Sequence, residues 1–241
     1  MVEATLHPRC EQQDTFPRVS DKGATKSDRG SAALHQKYEQ QNILQPAAER
    51  DKFTLERYEQ FHAYFPAKTK RVLDVGCNTG RGGLRLKKID PSLHISGLDC
   101  VSQRLVELPD CYDEGIYGMS TAIPAEDGRF DVVCAGEFLE HLYPSDVDIT
   151  LCEFQRVLAV GGRLLLTTPN PHYLKNKIRN SSIYSVSHLT QHFPSVLKHR
   201  LKMHGFSRVR IVGSGKMTRY VGYHFPLLTV YGSYLIFGDK I

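Results

Sequence analysis

In the segment GEFLEHL, Glu137, Glu140 and His141 stand at i, i+3 and i+4. On a helix that spacing puts all three on one face. Two carboxylates plus an imidazole can hold a hard or borderline divalent ion. The same residues also suit a metal-free site, in which His141 alone takes a proton from a hydroxyl near neutral pH. The sequence favours His141 as the lone base, because a hard ion usually wants more oxygen ligands than two carboxylates supply. A second chemical stretch is VLDVGCNTGRGG, where Asp74 precedes a turn of glycines and small polar residues. The glycines run Gly76-x-x-x-Gly80-x-Gly82, and no register gives the G-x-G-x-x-G that a dinucleotide requires. Asp74, expected to point into the crevice, would repel a pyrophosphate and suit a cationic ligand. S-adenosylmethionine carries an ammonium and a sulfonium and no phosphate. Asp99, 25 residues on, is placed to accept hydrogen bonds from two ribose hydroxyls.

The elements that must position these residues alternate between strand-like and helix-like. Leu55, Tyr58, Phe61 and Phe65 recur at helical spacing behind Asp51, a capping residue, and Pro66 stops the run. Strands are predicted over Arg71 to Val75, His94 to Leu98, Gly115 to Met119, Phe130 to Ala135 and Arg163 to Thr168, with a helix over Arg81 to Lys88. Ser145 opens a third helix, with Asp148 three residues on; Val147, Leu151, Phe154 and Leu158 form its apolar stripe, and Gly161 closes it. A further helix is predicted from Ser195 to His204, ended by Gly205, and late strands over Ser207 to Val212 and Tyr231 to Phe237. This order predicts an α/β, Rossmann-like open sheet, mostly parallel with an antiparallel late strand, and helices on both faces. The glycine turn then falls at the carboxyl end of the first strand, where an open sheet holds its ligand.

In that order, VLDVGCNTG, SGLDCV, FDVVCAGEFLEHL and RVLAVGGRLLLTTPN resemble the class I S-adenosylmethionine-dependent methyltransferases over about residues 70–206. The resemblance implies that Asp74, Gly76, Cys77, Asn78 and Gly80 serve the methionine end of the cofactor, and that Asp99 holds the ribose. Cys100 would flank the adenine, and Ala135, Gly136 and Glu137 would close over the methionine part. One position departs from the family pattern. The acidic residue expected for the adenine amino group falls on Met119 in GMSTAIPAEDGRFD, which leaves the Ser120 backbone for that task or implies a shifted register. The E-x-x-E-H pattern looks like that of ubiquinone-type O-methyltransferases and small-RNA 2′-O-methyltransferases. There it serves a metal that binds substrate hydroxyls, completed by a later histidine, here His188 or His192 in SHLTQHF. The TTPNP and HLTQHF runs also look like methyltransferases of glycan and natural-product pathways. The expected activity is therefore O-methylation of a glycan, sugar or other small molecule. An RNA 2′-O-methyltransferase and a non-catalytic cofactor-binding module are the alternatives.

Composition narrows the classes. Among the 241 residues, six scattered cysteines form no C-x-x-C pair, which fits a reducing compartment. No run approaches the roughly 18 apolar residues of a membrane span, and the N-terminus lacks a signal-peptide centre, so a cytoplasmic protein is expected. The net charge of +5 is modest and its bases are dispersed. No arginine and aromatic platform favours a nucleic-acid acceptor over a small molecule or glycan. Residues 1–31 mix Pro, Gly, Ser, Lys, Asp and Gln without apolar periodicity and are expected to form a disordered arm. Residues 32–241 are expected to form one domain, with substrate-cap elements at about 35–66, 171–193 and 213–226, the last carrying Tyr220, Tyr223 and His224.

Overall fold

The computed structural model describes residues 34–40, 53–184 and 187–241; the expected arm and the Asp51 cap lie outside the described residues. The helices are α1 (residues 34–40), α2 (Thr54–Ala63), α3 (Arg81–Ile89), α4 (Ser102–Val106), α5 (Pro144–Val157), α6 (Leu174–Ile178), α7 (Pro194–Met203) and α8 (Thr218–Val221). The strands are β1 (Arg71–Val75), β2 (His94–Asp99), β3 (Glu114–Tyr117), β4 (Phe130–Gly136), β5 (Leu158–Pro169), β6 (Phe206–Ser214) and β7 (Ser233–Lys240).

They build one sheet in the order β3-β2-β1-β4-β5-β7-β6. β1 to β5 pair in parallel, and β7 runs antiparallel between β5 and β6. The chain winds outward from β1 to β3, then restarts on the other side with β4, so the order reverses between β1 and β4. In a sheet of this kind the crevice opens there, at the carboxyl ends of the strands. Strand alternation sends Leu73 and Val75 to the face covered by α5 and α7, and Val72 to the face covered by α2 and α3. Both faces are therefore covered, and β1 is buried from Val72 to Val75.

Two local expectations change. Helix α5 begins with Pro144 at a position where a missing N–H costs nothing. Ser145 lies inside it, donating its hydroxyl to Asp146 Oδ1 at 2.9 Å rather than capping the backbone. Nor does Gly161 close this helix. The helix ends at Val157, and Gly161, at φ +77°, lies within β5, which begins well before Arg163. The apolar stripe holds: Val147, Leu151, Phe154 and Leu158 are fully buried.

Candidate active site

A cleft of about 390 Å³ lies over the carboxyl ends of β1, β2 and β4, within the range of small-molecule and cofactor sites. Its floor is the turn after β1. The amides of Gly76 and Cys77 both donate to the Leu98 carbonyl, at 2.8 and 3.2 Å, tying the turn to β2. Gly76 has φ +68°, and a Cβ there would come within 2.8 Å of the Phe138 ring, so only glycine fits. Asn78, at φ +50°, aims its amide at Asp99 Oδ2, 3.0 Å away. Asp99 also accepts from the Val101 amide at 2.9 Å, and Arg104 Nη1 stands 3.4 Å from both carboxylate oxygens. A fixed carboxylate thus ends β2 on the cleft wall, as a ribose diol requires.

Gly76, Cys77, Asn78, Asp99, Cys100, Ser120, Gly136, Glu137, His141 and His188 all line this cleft. Asp74 and Gly80 are not among its lining residues. Asp74 shares the face of Val72 by strand alternation, and its side chain is fully buried, bonded to the Tyr58 and Tyr112 hydroxyls. Its expected placement in the crevice is therefore corrected. Burial pushes its carboxyl up to about 6, against the two phenol hydrogen bonds, which pull it down. Gly80, at φ +73°, turns the chain into α3, and a Cβ there would meet Pro109 at 2.4 Å. Ser120 turns its hydroxyl toward Thr150 of α5, 2.9 Å away.

Thr54, Arg57 and Tyr58 on α2 and Tyr38 on α1 also line the cleft. The sequence placed their segments as substrate caps without assigning them to the cofactor cleft. Tyr38 donates to Asp146 Oδ2 at 2.6 Å and accepts from the Tyr143 amide at 2.8 Å, which fixes α1 to the start of α5. His35 Nε2 lies 3.1 Å from the Cys100 carbonyl, so α1 reaches the end of the cleft where β2 stops.

At the other end the E-x-x-E-H segment is a single 3₁₀ turn, Leu139–His141, not an α-helix. It cannot present three side chains on one helical face. Glu137, at φ +51°, ends β4 with its amide bound to the Thr167 carbonyl at 2.9 Å. Its Oε1 is buried without a hydrogen-bond partner. Glu140 points inward, 1% exposed, accepting from Thr168 at 3.1 Å through Oε2, while its Oε1 also lacks a partner. Burial, and then the charge of Glu137, push its carboxyl well above the usual carboxylate range. The loop after α6 folds back over this turn, held by the Leu189 and Thr190 amides on the Glu140 carbonyl at 2.7 and 3.1 Å. Ring nitrogens of His141 and His188 and a Glu140 oxygen thereby converge within 4.8 Å of one another. His192 is turned away, bonded to Thr190 at 2.9 Å.

His141 Nδ1 faces the Ser187 carbonyl at 2.8 Å, and His188 Nδ1 faces the Ile183 carbonyl at 2.9 Å. Donating Nδ1–H to a carbonyl leaves the lone pair on Nε2, the usual arrangement of an imidazole metal ligand. Burial and the neighbouring His188 push the His141 imidazolium down to about 4. So weak a base gains little driving force when it takes a hydroxyl proton alone. A divalent cation would instead give the orphaned Glu140 oxygen a partner, and its burial without one is costly. The donor set fits such an ion.

Residues 73–166 match a family model described as a methyltransferase domain. A fatty-acid O-methyltransferase of Mycolicibacterium smegmatis is 31% identical over 134 residues, spanning 54% of this chain and 48% of that protein. A demethylmenaquinone methyltransferase of Deinococcus radiodurans is 36% identical over 107 residues, 40% of this chain and 42% of that one. The chain thus spans about half the length of the curated relatives it matches. The crystal structure of an S-adenosylmethionine-dependent methyltransferase from Archaeoglobus fulgidus superposes with a TM-score of 0.62 at 21% identity. That match covers 77% of this chain and 92% of the other and establishes the fold. Among the described residues no helix is long and apolar enough to cross a membrane.

Proposed function

We propose that this chain, whose residues 73–166 match a methyltransferase domain, is a class I S-adenosylmethionine-dependent methyltransferase that methylates a hydroxyl of a small organic acceptor. The observation that carries this reading is the cluster of Glu140, His141 and His188, whose two histidines line the cleft. Bound S-adenosylmethionine supplies a methyl group activated by its sulfonium. Asp99 would hold the ribose, and the carboxylate is pre-set for it by the Asn78 and Val101 amides. The Arg104 contacts at 3.4 Å are long enough to yield to ribose hydroxyls. Arg57, which lines the facing wall, would offer its guanidinium to the methionine carboxylate. Cys100 and Ser120 would border the adenine.

Glu140, His141 and His188 would hold a divalent ion, with Glu137 close enough to act on its charge. Such an ion lowers the pKa of a hydroxyl it touches. The chain's own contribution would then be orientation: the 3₁₀ turn and the loop folded over it would hold the acceptor oxygen toward the cofactor end of the cleft. The names of the relatives, a fatty acid and demethylmenaquinone among them, favour a small organic acceptor, and a vicinal diol or catechol is the form whose two oxygens suit an ion. The test is methyl transfer from radiolabelled S-adenosylmethionine to pooled catechols, hydroxylated small molecules, glycans and RNA, with and without EDTA. Label in a small-molecule pool, lost with EDTA and restored by Mg²⁺ or Mn²⁺, is expected. EDTA-resistant transfer returns His141 to the role of lone base, and transfer confined to RNA refutes the acceptor class.

A further inference from the structure

The glycines after the cofactor turn are notches for two tyrosines. A Cβ at Gly82 would lie 2.2 Å from Tyr58 Cζ, and one at Gly83 would lie 2.3 Å from Tyr112 Cζ. Both phenol rings therefore rest directly on the first turn of α3, one arriving from α2 and the other from the loop before β3. Their hydroxyls meet the same carboxylate. Tyr58 donates to Asp74 Oδ1, and Tyr112 donates to Oδ2 at 2.5 Å. The Tyr112 oxygen also accepts the Gly83 amide at 2.9 Å, one of the amides that a helix start leaves without an intrahelical partner. Burial holds both phenols well above their ordinary pKa, so each remains a donor.

An apolar trio of the same volume would pack here without the cost of a buried charge. The polar trio does something packing alone does not: it fixes direction, because each hydrogen bond is satisfied in one relative placement of α2, β1 and α3. Of the three side chains only Tyr58 lines the cleft, and it lies between Thr54 and Arg57 on the strip of α2 that faces the cofactor turn. We propose that Tyr58, Asp74 and Tyr112 form a clamp that sets α2 against the turn Gly76 to Gly80, making Asp74 and Tyr112 positioning residues for the cofactor. This rests on the methyltransferase reading. Asp74 thus reaches the cofactor at second hand, through the helix that carries Arg57.

The test is calorimetric binding of S-adenosylhomocysteine to the full chain and to Tyr112→Phe, Tyr58→Phe and the double variant, with melting temperatures alongside. Phenylalanine keeps both rings in their notches, so each variant retains its packing. Each single variant is expected to weaken binding by about tenfold. The double variant should be no worse than the weaker single one, since both break one link. Tyr112 is the decisive position, because it does not line the cleft and any loss there must travel through its bonds to Asp74 and the Gly83 amide. If Tyr112→Phe binds within about twofold of the parent while Tyr58→Phe weakens, Tyr58 acts by direct contact and the clamp is refuted. If both melt lower but bind normally, the trio is only part of the core. A parent chain that does not bind S-adenosylhomocysteine at all overturns the cofactor reading instead.

Discussion

Replacing Glu140 by Gln should change stability in opposite directions with and without a divalent ion. In the metal-free chain Glu140 is 1% exposed, accepts a hydrogen bond from Thr168 and lies near Glu137, whose charge disfavours its ionisation. Glutamine keeps the acceptor for Thr168 and removes the cost of holding a buried carboxyl protonated beside Glu137. The metal-free variant should therefore be at least as stable as the parent, with a gain on the order of 1 kcal/mol. With the ion bound, the sign reverses. An ion at one hundred times its Kd stabilises the folded state by about 2.7 kcal/mol, and for a domain of this size each kcal/mol moves Tm by roughly 2–4 °C. Titrating Mg²⁺ or Mn²⁺ into EDTA-treated parent should accordingly raise Tm by roughly 5–11 °C, and the same titration should leave Glu140→Gln nearly unmoved. Scanning calorimetry or dye-free fluorescence melting reads both arms. Equal shifts in parent and variant would place the ion elsewhere. No shift in either would leave the orphaned Glu140 oxygen without the partner argued for it.

Asp99→Ala removes the acceptor of the Asn78 and Val101 amides together with the proposed ribose contact. Hydrogen bonds to a charged acceptor are worth about 1.5–3 kcal/mol, so S-adenosylhomocysteine affinity should fall by roughly 10- to 150-fold by calorimetry, and unchanged affinity would refute the ribose role. His141→Gln should alter acid stability with a defined sign. The imidazolium lies near 4 in the fold against an ordinary value of 6.5, so the unfolded chain binds the extra proton between those values and the parent loses stability as pH falls through that window. The variant should lose on the order of 3 kcal/mol less between pH 7 and pH 4, read from urea midpoints, and parallel pH profiles would contradict the depressed imidazole.

Much of the sheet was legible because β1, β2 and β4 are apolar runs bounded by clear turns, and the order of glycine turn and acidic strand end fixed where the cleft opens. Asp99 lines the cleft because it stands at the carboxyl end of its strand, where the crevice opens. Asp74 was misplaced for the complementary reason. It lies inside β1, where alternation alone decides its face, and Val72 two residues earlier already pointed that face at α2 and α3. The signal was present in the sequence, but the partner tyrosines lie 16 and 38 residues away, too far for any spacing rule to reach.

The E-x-x-E-H segment illustrates a different limit. Its spacing is that of a helix face, yet Glu137 adopts φ +51° and only one 3₁₀ turn follows before Pro144 starts α5. The short turn splits the motif: Glu140 goes down against Thr168, while His141 goes across to Ser187. What reunites a carboxylate with two imidazoles is the return loop, which delivers His188 and is fastened by amides to the Glu140 carbonyl itself. That fastening is long-range and made by backbone, so no residue pattern announces it. It has a chemical consequence that a helix would not have had. On a helical face, Glu137, Glu140 and His141 would all stand at the mouth of the cleft, hydrated and free to ionise. Here Glu140 is drawn below the surface and its second oxygen is left without a partner, so the carboxylate has reason to ionise only when a cation arrives. The turn that defeats the sequence pattern is thus what makes the site selective for being filled.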